Sequence, residues 1–355
     1  MKRISGLIAF LTLTNVTFAS TSNMKMAWEN ISDPEIMSYF FTKTFRDLPL
    51  KGEVTPSKKY WSGDYWALKN GNINYRWYAK KKIGWNLNSP TKERAMRMTI
   101  PELAELAPSE KYDLFTGNYN YPLRDEVYRR ADPNAEIWEG MCHGWSPATM
   151  NHEEPTPKVL RNPDGIDIPF GSSDIKALVS YYYAYGFQTP TVYQMGLRCY
   201  KGGFLNFDHD CKDDMNAGAF HLVLANRIGI DGKGFVADIQ RYKEVWNHPF
   251  SKYSSTVVDE YGADSDAAPG AVKTLRIKTT VTYIDENGHD WQPVRGTPKQ
   301  HEKTVNYEYE VELDSFGKIV GGKWISKARP DFLWFKTKAR KFEGTLSRLG
   351  ELLND

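Results

Sequence analysis

Apolar positions recur along this chain with two periods, 3.6 and 2, and these divide it into helical and extended stretches. Ile175, Leu178, Val179 and Tyr182 fall at i, i+3, i+4 and i+7 and predict a helix with one buried stripe. Ser172-Ser173 precede it, and Gly186 is placed to close it in a left-handed conformation. Helix starts are also marked at Asp33-Pro34-Glu35, Ile100-Pro101-Glu102-Leu103 and Pro108-Ser109-Glu110-Lys111-Tyr112, since proline is tolerated in a first turn. Residues 272–279 and 305–313 alternate apolar and polar, predicting strands with one wet face. A turn follows at Asp314-Ser315-Phe316-Gly317. Residues 219–225 are apolar on both faces and read as a central strand. A turn at Asp231-Gly232-Lys233-Gly234 then leads to a partner strand over 235–240. The acidic, glycine- and alanine-rich stretch 259–270 reads as a linker, and the basic C-terminus as a weakly amphipathic closing helix.

These elements give an α+β chain. Its 355 residues suggest two or three domains: a helical, aromatic-rich N-terminal region over 20–108, a central core over 109–262 and an antiparallel β region over 271–355 ending in a helix. Residues 1–19 have a basic start, an apolar middle and Thr17-Phe18-Ala19 before Ser20, the pattern of a secretory signal peptide. That predicts an exported protein, secreted or periplasmic, and no later run is apolar enough to span a membrane. The net charge of +2 supplies no global field toward nucleic acid or acidic membranes.

Export makes the three cysteines informative. Cys199 and Cys211 lie close together in a polar loop and can pair, which leaves Cys142 as a spare thiol in Trp138-Glu139-Gly140-Met141-Cys142-His143-Gly144-Trp145-Ser146-Pro147. A nucleophilic cysteine needs a base or a lowered pKa, and an oxyanion hole. In papain-like enzymes a cysteine at a helix start is served by a histidine on a strand, with a carboxylate or amide on the next strand. Cys142, His221 and Asp238 occur in that order. A tight turn at 231–232 puts His221 and Asp238 on one face but too far apart, so a bulge or a shifted turn is needed, and Gly232 and Gly234 suit a bulge. Gln240 is the alternative orienting group. Pro147 removes one hydrogen bond from a helix begun at Cys142, so the helix is kinked or starts nearer Pro147. Asp174 is a further alternative, though its first-turn position is explained by the helix dipole. His143 diverges from its neighbour and is a poor base. Trp138 can offer an indole N–H to an oxyanion or simply pack. Asp208, Asp210, Asp213 and Asp214 offer hard oxygen ligands of the kind calcium takes, or a solvated loop; His209 and the nearby cysteines lack a second zinc-finger pair.

Several segments together resemble the transglutaminase elicitor family. They are Tyr60-Trp61, Asn74-Tyr75-Arg76-Trp77, Cys142-His143-Gly144-Trp145-Ser146-Pro147-Ala148, Asp174-Ile175-Lys176-Ala177-Leu178, Phe220-His221, Val236-Ala237-Asp238, Val245-Trp246-Asn247-His248-Pro249, Gly321-Gly322-Lys323-Trp324 and Pro330-Asp331-Phe332-Leu333-Trp334. The resemblance implies a papain-like core and a calcium-dependent protein-glutamine gamma-glutamyltransferase. Cys142 would be its nucleophile, His221 its base and Asp238 the group orienting the histidine. It implies protein partners: a glutamine acyl donor and a lysine or amine acceptor, with Trp138, Trp145 and Trp246 as aromatic walls against water. Where the family's elicitor peptide continues Gln-Pro-Val-Arg-Gly, this chain has His248-Pro249-Phe250-Ser251-Lys252. The rival readings are a secreted papain-like cysteine protease or glutamine deamidase, which use water as acceptor, and a non-enzymatic surface-binding protein.

Overall fold

The computed structural model describes residues 28, 30–38, 40–55, 60–186, 191–198, 215–239 and 244–354. Its α-helices are α1 (Lys92–Ala95), α2 (Ile100–Ala104), α3 (Pro108–Phe115), α4 (Pro122–Arg130), α5 (Cys142–Asn151), α6 (Ser172–Tyr185) and α7 (Ala217–Val223). Its strands are β1 (Lys51–Glu53), β2 (Lys158–Arg161), β3 (Asp167–Phe170), β4 (Val192–Gly196), β5 (Phe235–Asp238), β6 (Asn247–Gly262), β7 (Ala271–Ile284), β8 (Glu302–Asp314), β9 (Ile319–Trp324) and β10 (Phe332–Lys336). Helix and sheet are mixed along the chain. The described part of the N-terminal region holds mostly single 3-10 turns, with α1 and α2 its first α-helical pieces.

The predicted starts are present. Asp33 caps the turn at Pro34–Met37 by accepting from the Glu35 amide. Thr99 and Glu102 cap the two ends of one exchange at the head of α2. The apolar stripe of α6 lies in a helical core cluster with Trp145, Tyr112 and Phe170. Gly186 follows α6 at φ −59°, so the helix ends without the left-handed residue expected there.

One antiparallel sheet runs in the order β4-β10-β5-β6-β7-β8-β9, with β1 also paired to β6. The stretch expected as a linker is the distal end of β6 and the turn into β7. The chain closes on β10 and two 3-10 turns at Gly344–Leu346 and Leu349–Glu351, not on the expected α-helix.

The largest departure concerns residues 219–225. They are helical, in α7 and the π-helical turn Leu224–Ile230 that continues it, so no hairpin forms with β5, which pairs instead with β6 and β10. A run apolar on both faces suits a fully buried helix as well as a central strand. Asn216 decides the matter: its side chain accepts from the Gly218 and Ala219 amides at 2.8 and 3.3 Å. α7 lies against β8 and β9 in a second core cluster built from the sheet. Gly218 permits this approach, since a side chain there would collide with the Gly321 carbonyl.

Candidate active site

Cys142 is the first residue of α5, and its start is clamped from the preceding segment. The Met141 amide donates to the Tyr65 carbonyl at 2.5 Å, and the Leu68 amide to the Glu139 carbonyl at 2.9 Å. The helix runs through Pro147 to Asn151, so the proline does not postpone its start. It forfeits one interior hydrogen bond. At this position the amides of Cys142 and His143 belong to the first turn, which has no intrahelical acceptors. The thiol is free and only 5% exposed.

Two groups, one from the β5–β6 connection and one from the start of β6, reach the sulfur. Asn247 Nδ2 donates to Sγ at 3.4 Å, and the thiol faces the Val245 carbonyl at 3.6 Å. Asn247 opens β6, where its backbone carbonyl accepts from Ser146 Oγ, one turn along α5 from the cysteine. Its side-chain Oδ1 accepts from Trp334 Nε1 on β10 at 2.7 Å. Asp238, the last residue of β5, pairs directly with Asn247, and its Oδ1 accepts from the Trp246 amide at 3.2 Å. Burial pushes the Cys142 thiol pKa up; the bond from Asn247 pulls it down, and the charges of Glu286 and Asp238 add to the rise.

Cys142 and Asp238 therefore meet electrostatically, but the structure does not add His221 to them. His221 is on a helix rather than a strand, fully buried in the sheet-side core. Its Nδ1 bonds Tyr309 Oη at 2.8 Å, and its ring stacks on Phe45 at 5.6 Å. Among the described residues it has no hydrogen bond to Cys142 or Asp238, and its Nε2 has no hydrogen-bond partner. Burial lowers its pKa to about 4. His143 packs edge-on against Tyr185 and is likewise lowered to about 4, by burial and by Lys336.

Asp174 is also placed elsewhere. It accepts from Lys111 Nζ, Trp77 Nε1 and the Gly171 amide at 2.7, 2.8 and 2.7 Å, a buried structural pair at the head of α6. Trp145 is fully buried in the helical core. Trp246 is half-buried, edge-on to Tyr65 at 5.6 Å and stacked over His248 at 6.4 Å. Trp138 is half-buried. Gln240, Cys199, Cys211, Asp208, Asp210, Asp213, Asp214 and the segment 1–19 lie outside the described residues.

Glu286, in the connection after β7, is the other acidic neighbour of the thiol. Its pKa is pushed up to about 8 by burial and by the nearby charges of Asp285 and Asp64. With His248 and Asp285 it forms the one cluster of potential metal ligands among the described residues, one atom from each lying within 4.8 Å of the others. The cluster does not fit calcium, which takes six to eight oxygens. It offers an imidazole, His248 Nδ1 is engaged with the Ile284 carbonyl at 3.1 Å, and Lys303 holds Asp285 at 2.7 Å.

Sequence reasoning missed Asn247, Trp334 and Glu286 as members of this site. Asn247 and Trp334 sit inside segments that resemble the family, which is the signal that could have found them.

The transglutaminase elicitor family model matches residues 133–350. No curated protein matches the chain. A crystal structure of the GP42 transglutaminase from Phytophthora sojae is similar, with a TM-score of 0.69 at 22% identity over 92% of this chain and 97% of that one. At that identity the likeness is one of fold.

Proposed function

Because the chain belongs to the transglutaminase elicitor family, we propose that it is a protein-glutamine gamma-glutamyltransferase working through a Cys142 thioester. The observation that carries this reading is the Cys142 thiol at the first turn of α5, with the Asn247 amide on its sulfur and Asp238 opposite Asn247. The shared fold with a Phytophthora transglutaminase supports it.

In the first step Sγ attacks the carboxamide carbon of a protein-bound glutamine. The S–C bond forms, the C–N bond breaks, and the thiol proton passes through Asp238 to the departing nitrogen, which leaves as ammonia. The first-turn amides of α5 face the developing oxyanion. In the second step a primary amine, the side chain of a lysine, attacks the thioester and loses its proton to Asp238. An isopeptide bond forms and the thiol is restored. Asp238 takes this role because it stands opposite Asn247, whose amide bonds the sulfur, whereas His221 makes its contacts in the other core. A papain-like arrangement, with helix-borne cysteine and sheet-borne partners, is part of this proposal, as is export by the segment 1–19. Calcium dependence, implied by the family resemblance, stays part of the proposal; the cluster of His248, Asp285 and Glu286 does not fit that ion, and no step is routed through it.

The test is incorporation of a labelled primary amine into a glutamine-containing protein. Wild type should incorporate the label, and Cys142→Ala should lose it by at least about a thousandfold. Ammonia release without incorporation would assign the same thioester to hydrolysis and overturn the transferase reading.

A further inference from the structure

The two ends of the Asn247 amide are nearly the same shape and opposite in chemistry. One is a pure donor and the other a pure acceptor, so the end facing Sγ decides whether the residue favours or opposes a thiolate. The structure fixes that choice from a distance. An indole N–H can only donate, so the atom 2.7 Å from Trp334 Nε1 must be the oxygen, Oδ1. The NH2 group is then turned onto Sγ at 3.4 Å. Exchanging the ends would set N–H against N–H at the tryptophan, a lost contact, and would present to the sulfur an oxygen that accepts from a thiol but repels a thiolate.

The surroundings leave this donor with much to offset. Val245 presents a carbonyl to Sγ at 3.6 Å, which accepts from a thiol but repels a thiolate. Asn247 is itself held in place, 5% exposed, with its backbone carbonyl bonded by Ser146 and its neighbour across the ladder fixed as Asp238. Trp334 is equally buried, in β10 beside β5.

We propose that Asn247 is a catalytic residue that donates to Cys142 Sγ as the proton leaves, and that Trp334 is the positioning residue that fixes its amide in the donating orientation. This rests on the reading of Cys142 as the nucleophile. It adds two residues, one of which touches no reacting atom.

The experiment measures the rate of Cys142 alkylation by iodoacetamide against pH on the full chain, read by mass spectrometry of the Cys142 peptide so that the other cysteines do not interfere. Trp334→Phe keeps the ring and removes the donor. It should move the midpoint up by about one pH unit, roughly a tenfold loss of thiolate at neutral pH. Asn247→Ala should do the same, and the double variant should move no further than Asn247→Ala alone. A Trp334→Phe midpoint equal to wild type, or a full additive shift in the double variant, overturns the proposal. Should Trp334→Phe fail to fold, an unshifted midpoint in Asn247→Ala overturns it, and an upward shift sustains the Asn247 donor. If the shifts appear but wild type incorporates no amine, the positioning stands and the transferase reading falls.

Discussion

Asp238 stands directly opposite Asn247 in the β5–β6 ladder. Burial does most to raise the Cys142 thiol and Glu286 adds to it; the further charge of Asp238 and the amide that lowers the thiol are delivered by neighbouring strands at one register. The two influences can be separated. Asp238→Asn keeps an oxygen for the Trp246 amide but removes the charge. It should speed alkylation of Cys142 at neutral pH while slowing amine transfer by about a hundredfold to ten-thousandfold, the usual range for losing a general acid–base. Parallel alkylation and transfer assays on one preparation check this, and a variant that moves both rates together would remove Asp238 from the proton path.

His221 should behave as a core residue. His221→Ala removes the partner of Tyr309 and opens a cavity against Phe45. The expected cost is about 2–4 kcal/mol of stability, read by urea denaturation. The pH midpoint of Cys142 alkylation should stay where it is. A shifted midpoint in a folded variant would restore the histidine to the site.

Glu286 gives a pH signature with a definite sign. Its folded pKa is raised to about 8, above the ordinary 4.5. Below 4.5 the group is protonated in both states; between there and 8 the unfolded chain loses the proton first. Stability should therefore fall as pH rises through that window. Glu286→Gln imitates the protonated form, so it should flatten this fall and raise the melting temperature most at pH 8 to 9. Thermal melts of both proteins from pH 5 to 9 decide it.

Gly144 lies where α5 packs tightly against α6. A β-carbon there would overlap the Ser180 carbonyl and approach Ala184. Because the obstacle includes backbone, Gly144→Ala should cost about 1–3 kcal/mol. It should also lower transfer activity, by moving the helix that begins with Cys142. Denaturation midpoints and the amine assay together test this, and an unchanged protein would show that the two helices have room to part.

Much of the scaffold is legible in the sequence because periodicity is a local property. α6, β7 and β8 follow from alternating or helical spacing over eight or nine residues each. Cys142 stands out by thiol arithmetic, which needs no geometry at all. His221 is misplaced because its run is apolar on every face, and the deciding residue, Asn216, lies just outside that run. Asn247 and Trp334 act across 105 and 87 positions respectively. Their roles arise only when β10, β5 and β6 are set in register, and no local pattern encodes that register.

β6 carries Asn247 at one end and Gly262 at the other, 16 residues in all, or roughly 50 Å along the strand. At its far end the turn to β7 is bounded by Gly262 and Gly270, where an added side-chain atom would meet nothing within 4 Å. That tip is open to insertion. An affinity tag or fluorophore spliced into it would ride at the remote end of the ribbon, leaving the sulfur and its partners as they are.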